Sequence, residues 1–202
     1  GKVVANLDIG GGTTNICLFE AGEMVDCACL DIGGRMIQVQ DSIIAGMTEK
    51  CRELLERHQL NCQAGAPASL PLLQSFCSLL ADLCAACVGW IPADASSCQA
   101  DLTLLQTNHL LSGHVAPEFF TFSGGVAACM EDPSLQADWN QYGDIGPLLA
   151  AALMQQPFFQ NGNRKKAQET MRATVIGAGN YSTAISGSTI SYTETDFPLH
   201  NL

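Results

Sequence analysis

The segment Asp8-Ile9-Gly10-Gly11-Gly12-Thr13-Thr14-Asn15 limits the fold more than any other part of this 202-residue chain. Val3 to Ile9 alternates apolar and polar residues and opens on β-branched ones, as a half-buried strand does. Asn15 to Glu20 reads as a second strand, so the three glycines form the tip between two strands. Without side chains, the tip can turn sharply and present backbone N–H groups to an anion. The hydroxyls of Thr13 and Thr14 can donate to phosphate oxygens. Asp8, at the end of the first strand, can hold a Mg²⁺ ion through water. A glycine run alone also serves a hairpin for geometry; the flanking Asp and Thr residues are what argue for phosphate. The segment is not a Walker A loop, because no Gly-Lys-Ser/Thr follows, and it does not have the Gly-x-Gly-x-x-Gly form that opens a helix.

Ala21-Gly22-Glu23 reads as a tight turn and Met24 to Ile32 as a third strand, which completes an antiparallel meander. Gly33-Gly34 punctuates the chain, and Met36 to Gln40 is a short extended stretch or a helix start. Asp41-Ser42 has the character of a helix cap, predicting a helix over Ile43 to Arg57. Asn61 to Ser69 is a loop, and a long apolar helix covers Leu70 to Cys87. Val88 to Gln99 is loop-like and Ala100 to Leu111 weakly amphipathic. Pro117 precedes a short apolar run, Glu118 to Phe122, that ends in Ser123-Gly124-Gly125, where a helix is expected to start. Gly146 to Met154 is a small-residue helix with Pro147 in its first turn. Ala173 to Ile176 and Thr183 to Tyr192 read as strands around Gly177-Ala178-Gly179-Asn180, a strand-end turn or a second nucleotide contact. Strands, then helices, then strands predict one α/β domain over 1–202, with a mostly helical insertion at about 48–114.

Composition narrows the partners. Nine basic residues stand against twenty acidic ones, a formal charge of −11, and no Lys or Arg occurs between His58 and Asn163. Nucleic-acid binding needs a basic patch, so it is excluded, and the same gap argues against an anionic membrane surface. Leu70 to Ile91 is apolar, but Gln74, Ser75, Ser78 and Asp82 interrupt it, and it reads as a core helix rather than a membrane span. Hydrophobic residues make up 47%, which excludes a disordered chain. The chain starts at Gly1 and runs at once into a strand with no signal-peptide pattern, so a cytoplasmic fragment of a longer protein is expected.

The ten cysteines mostly stand in apolar surroundings and are expected to be reduced core thiols. Cys84 and Cys87 form a CxxC without a second pair, so a zinc or redox site has little support. His109 and His114 lack a carboxylate that would complete a metal set. Glu53 and Glu56 with Arg52 and Arg57 read as a solvated helix face, and His58 as exposed at its end. Arg164-Lys165-Lys166, the only basic cluster, reads as a loop tip. Asp31 either approaches a cleft or caps a turn. Arg35 faces either a phosphate or a surface ion pair.

Leu7-Asp8-Ile9-Gly10-Gly11-Gly12-Thr13-Thr14 resembles the second phosphate motif of the actin, hexokinase and Hsp70 ATPase superfamily. Ser123-Gly124-Gly125-Val126, after an apolar strand, resembles its adenosine motif. Tyr142-Gly143-Asp144-Ile145-Gly146-Pro147 to Leu153 stands where its interdomain connecting helix begins. Within that superfamily the chain is most similar to the ethanolamine ammonia-lyase reactivating factor family. The residues that carry this are Asn6 to Asn15, Cys29-Leu30-Asp31-Ile32-Gly33-Gly34-Arg35, Phe120 to Val126, Gly143 to Leu149, and Ala173 to Gly179 with Ser186-Gly187-Ser188-Thr189-Ile190.

The resemblance implies an actin-like (ribonuclease H-like) ATPase domain, with a mixed sheet that begins with the meander. It implies ATP or ADP and Mg²⁺ as ligands. Asp8 positions the metal through water, Gly10, Gly11, Gly12, Thr13 and Thr14 hold the β- and γ-phosphates, and Ser123, Gly124 and Gly125 line the adenosine side. It also implies ethanolamine ammonia-lyase as partner, with damaged cobalamin released so that adenosylcobalamin can enter. Homo-oligomerisation and association with a bacterial microcompartment stay open. The superfamily's first phosphate motif is absent, so the chain holds half of a two-domain cleft and is expected to be inactive alone. A metabolite kinase and an actin-type filament protein are the alternatives.

Overall fold

The computed structural model describes residues 2–90, 96–132, 134, 138–157 and 162–165. The expected strands at Ala173 to Ile176 and Thr183 to Tyr192, and the Gly177 and Ser186 segments, lie outside the described residues.

Four strands form a mixed sheet. Strand β1 (Val3–Ile9) pairs antiparallel with β2 (Thr14–Glu20), which pairs antiparallel with β3 (Glu23–Leu30). On its other side β1 pairs in parallel with β6 (Phe119–Ser123), which gives the order β3-β2-β1-β6. The meander is as expected. Period-two alternation buries Val3, Ala5, Leu7 and Ile9 in β1 against Ile16 and Leu18 of β2. The turn between β2 and β3 uses positive φ at Ala21 and Gly22. Asn163–Lys165 continues the sheet beyond β6 through backbone bonds at Phe120.

A second hairpin, β4 (Ile37–Gln40) with β5 (Ile43–Met47), corrects the expected helix over Ile43 to Arg57. Asp41 and Ser42 both take positive φ, 49° and 61°, which makes them the central residues of a hairpin turn rather than a helix cap. After the turn, Ile43 is exposed, Ile44 buried and Ala45 exposed, a strand period. The helix, α1, is shorter, Glu49–Arg57, and Thr48 is its cap, accepting from the Cys51 amide at 3.2 Å.

The other helices are α2 (Leu70–Cys87), α3 (Ser96–Leu105), α4 (Gly125–Glu131) and α5 (Gly146–Gln155). They join the sheet in one hydrophobic cluster that runs from Leu7 and Ile9 through Phe76 and Leu80 to Leu149 and Leu153. By length and composition α2 is apolar enough to cross a membrane, and within this structure it is a core helix with Phe76, Cys77, Leu80 and Cys84 buried. It packs on α5, which also packs on α4. The end of α3 returns to the sheet edge, where Asp31 N donates to Leu105 O and Thr107 N to Cys29 O. All ten cysteines are free thiols. Burial pushes Cys87 up to about 11 and Cys84 further, so the CxxC is inert core. No metal-holding cluster occurs among the described residues.

Candidate functional site

The parallel pairing of β1 with β6 sets the site. It aligns Asp8 with Asn15 on one side and Ser123 on the other. The glycine tip after β1 and the glycine turn after β6 therefore leave the same end of the sheet together. Gly124 takes φ +88°, and a Cβ there would stand 2.4 Å from Ile9 O and 2.6 Å from Asp8 Oδ1. Only glycine combines that conformation with so close an approach. The Asp8 carboxylate thus lies directly against the expected adenosine motif.

A third glycine turn closes on the tip. Gly34 N donates to Gly10 O at 3.2 Å and Arg35 N to Gly11 O at 2.7 Å. The tip closes on itself through Gly10 N to Thr13 O, 2.9 Å. The start of α5 then locks the Gly33-Gly34 turn. Ile145 N donates to Gly34 O at 3.0 Å, while Asp144 Oδ1 accepts from Gly146 N at 2.8 Å. Gln38 forms a bridge with Asp144, and Val39 N donates to Gly143 O at 2.8 Å, which ties the β4–β5 hairpin to the same corner.

Gly10, Gly11, Gly12, Thr13, Gly124 and Gly125 surround this corner with Asp8. Gly12 and Gly125 are exposed, and a Cβ on either would meet nothing within 4 Å, so room exists outside both turns. Two of the expected contacts stand differently. Thr14 is fully buried and its hydroxyl donates to Ile32 O at 2.8 Å. Ser123 is also fully buried, and its hydroxyl accepts from Asn6 Nδ2 at 3.2 Å. Both hydroxyls brace the turns from beneath. Thr14 follows the strand period of β2, in phase with buried Ile16 and Leu18, whereas Ser123 comes directly after buried Phe122 and falls on the Asn6 side of the sheet, where Asn6 donates to it.

Asp31 does not approach the glycine turns. Its carboxylate accepts from Lys50 Nζ at 2.5 Å and Thr107 Oγ1 at 3.1 Å, joining β3, α1 and the segment after α3. Arg35 is exposed, and its side chain lies along Gly11: a Cβ on Gly11 would stand 3.0 Å from Nε and 3.1 Å from Cδ. No carboxylate among the described residues pairs with it. Beside Arg35 opens a cavity of about 300 Å³, lined also by Gln38, Gln40, Tyr142 and Asp144. A larger hollow of about 650 Å³, between β5, α1 and the 59–64 loop, lies away from the glycine turns.

The expected solvated face of α1 is present, with Arg52, Glu53, Glu56 and Arg57 all exposed. Sequence reasoning missed what lies next to it. Asp101, 2% exposed, accepts from Arg57 Nη1 at 3.3 Å and holds His58 Nε2 at 2.6 Å. His58 is therefore a partner in an α1–α3 clamp rather than a free surface group. An Asp inside an otherwise weakly amphipathic helix was the one available signal. At the other end of the sheet, Lys165 does not form a free basic tip: its Nζ lies 4.7 Å over the Phe119 ring, with Lys2 at 5.0 Å. Arg164 pairs with Glu131.

Known proteins agree with the resemblance. The family model for ethanolamine utilisation protein EutA matches residues 1–202. The chain is 38% identical over 202 residues to an ethanolamine ammonia-lyase reactivase EutA of Salmonella typhimurium, covering 98% of this chain and 41% of that protein. It is 36% identical over 201 residues to the ethanolamine ammonia-lyase reactivase EutA of Escherichia coli, with the same coverage, 98% and 41%. It thus spans about two fifths of the length of these relatives. The family model covers the meander, the three glycine turns and the helices behind them alike, and the chain belongs to the ethanolamine utilisation protein EutA family.

Proposed function

We propose that this chain is the nucleotide-binding part of an ATP-dependent reactivating factor for ethanolamine ammonia-lyase, built on an actin-like (ribonuclease H-like) domain. The observation that carries the reading is the convergence of three glycine turns: Gly33–Gly34 closes on the Gly10–Gly12 tip, and Gly124 closes on the Asp8 carboxylate that precedes it. The names of its relatives support the partner: both are reactivases of ethanolamine ammonia-lyase.

The residues present fit Mg-ATP. The Gly10 amide is spent on Thr13 O within the tip, so Gly11 and Gly12, with the open side of Gly12, are the tip glycines whose amides would meet phosphate oxygens. Thr13 is the hydroxyl available beside them, and Thr14 holds the tip in place through Ile32. Asp8, at the strand end, would orient a metal-bound water. Gly124 and Gly125 leave a side-chain-free wall for the nucleoside. ATP supplies binding energy for a change in angle between two domains, a hinge switch rather than rapid turnover. The small residues Gly146, Ala150, Ala151 and Ala152 let α5 pack closely against α2 and α4, as a helix at such a hinge requires. The outcome of the switch is release of damaged cobalamin from the lyase and admission of intact adenosylcobalamin.

The test uses the full-length protein that carries this chain. Ethanolamine ammonia-lyase is inactivated with cyanocobalamin, then given the protein, Mg-ATP and adenosylcobalamin. Recovery of deamination that requires both protein and ATP is the expected result. Measured Mg-ATP binding with no recovery would transfer the reading to a metabolite kinase or a filament protein.

A further inference from the structure

Six of the described cationic side chains are already engaged. Lys50 pairs with Asp31, Arg52 with Glu49, Arg57 with Glu53 and Asp101, and Arg164 with Glu131. Lys2 and Lys165 lie over Phe119. Arg35 is the one described arginine with no carboxylate partner among the described residues, and it stands at the glycine corner.

Its position is fixed by backbone rather than by chance. Arg35 N donates to Gly11 O at 2.7 Å, so its Cα is clamped to the tip. Gly33 makes that clamp possible, because a Cβ there would stand 2.5 Å from Gly11 O. Gly11 then provides the seat for the side chain: a Cβ at Gly11 would approach Arg35 Nε at 3.0 Å, Cδ at 3.1 Å and Cγ at 3.3 Å. The arginine stem crosses the tip at the point where the tip has no side chain, and its guanidinium stays exposed. The chain carries −11 overall, and Asp8 and Asp144 border the corner, so a polyphosphate approaching it needs a fixed cation in addition to its metal. A planar guanidinium presents paired donors that match phosphate oxygens.

We propose that Arg35 is the cationic arm of the glycine cradle, reaching across Gly11 to bind the terminal phosphate of a nucleoside triphosphate held at the tip. This rests on the nucleotide reading above and adds to it the group that neutralises the phosphate. It makes Gly11 a residue with two duties, backbone donor to the phosphate and seat for the arm.

Calorimetric titration of Mg-ATP into the full-length protein tests it, with Arg35→Gln, Arg35→Lys and Gly11→Ala beside the wild type. Removing one charge-assisted hydrogen-bonded pair weakens binding by about 10- to 100-fold in Arg35→Gln, and Arg35→Lys restores part of it. Gly11→Ala displaces the arm and weakens binding as well. Adding Arg35→Gln to Gly11→Ala then costs less than it does in the wild type, because the two changes act on the same interaction. Arg35 is exposed, so unchanged melting temperatures are expected of both its variants and serve as the folding control. Wild-type affinity in Arg35→Gln overturns the proposal and leaves the nucleotide reading standing. No Mg-ATP binding by the wild type overturns both.

Discussion

Gly33 lies so close to Gly11 that a Cβ on Gly33 would stand 2.5 Å from the Gly11 carbonyl oxygen. One glycine turn is thereby locked face to face against another. The contact is steric, since Gly33 has extended backbone, φ −171°. Gly33→Ala therefore destabilises the protein by about 1–3 kcal/mol, the usual cost of forcing atoms into a packed site. Gly12→Ala is the control: a Cβ there meets nothing within 4 Å, and stability changes by less than about 0.5 kcal/mol. Urea unfolding of the two variants separates these outcomes. Equal stability would mean that the two turns do not touch.

The meander and the glycine tip are legible in the sequence because each is local. Period-two alternation marks β1, and Gly10–Gly12 can only be a turn. The Asp41-Ser42 turn is ambiguous because the same residue types cap helices; what decides between the two is the positive φ at both positions, which spacing does not reveal. The closure of Gly33-Gly34 onto Gly10-Gly11 is invisible for a different reason. It is an approach of backbone atoms from separate turns, and no side-chain pattern encodes it. Asp101 escapes sequence reasoning in the same way, since Arg57 and His58 lie 44 and 43 positions away. Within the candidate site, the motif identifies the residues but not their orientation. Thr14 turns inward because strand alternation outweighs motif membership, and Ser123 is held beside Asn6 of the neighbouring strand.

Asp26 gives a pH dependence of known sign. Burial pushes its carboxyl up, but hydrogen bonds from the hydroxyl and amide of Ser112 and from the Cys27 amide outweigh this and hold it below its ordinary value. A carboxyl lowered in the folded state adds stability that is fully present above its unfolded pKa and is lost as pH falls through the folded one. Asp26→Asn is therefore less stable than the wild type at pH 7, and the gap narrows as pH falls below about 4. A gap that stayed constant between pH 7 and pH 3 would mean that Ser112 does not hold the carboxylate.

The buried thiols predict a graded reactivity. Burial pushes Cys51 up to about 12, and Cys77 and Cys84 further still. Since the thiolate is the reacting form, these three resist a thiol reagent at pH 8 until the protein unfolds. Mass spectrometry of N-ethylmaleimide adducts follows them one by one. Their modification in the native protein, at the rate of a free thiol, would contradict their place in the core.

If Asp8 and the glycine turns form a cradle for Mg-nucleotide, a binding measurement reads it most directly. Mg-ATP is titrated into the full-length protein and into its Asp8→Ala variant, with melting curves to show that both are folded. Saturable binding by the wild type is expected, with affinity at least about tenfold weaker in Asp8→Ala, the scale of removing one charged hydrogen bond. Equal affinity in the two proteins would remove Asp8 from the site and contradict a cradle built around its carboxylate.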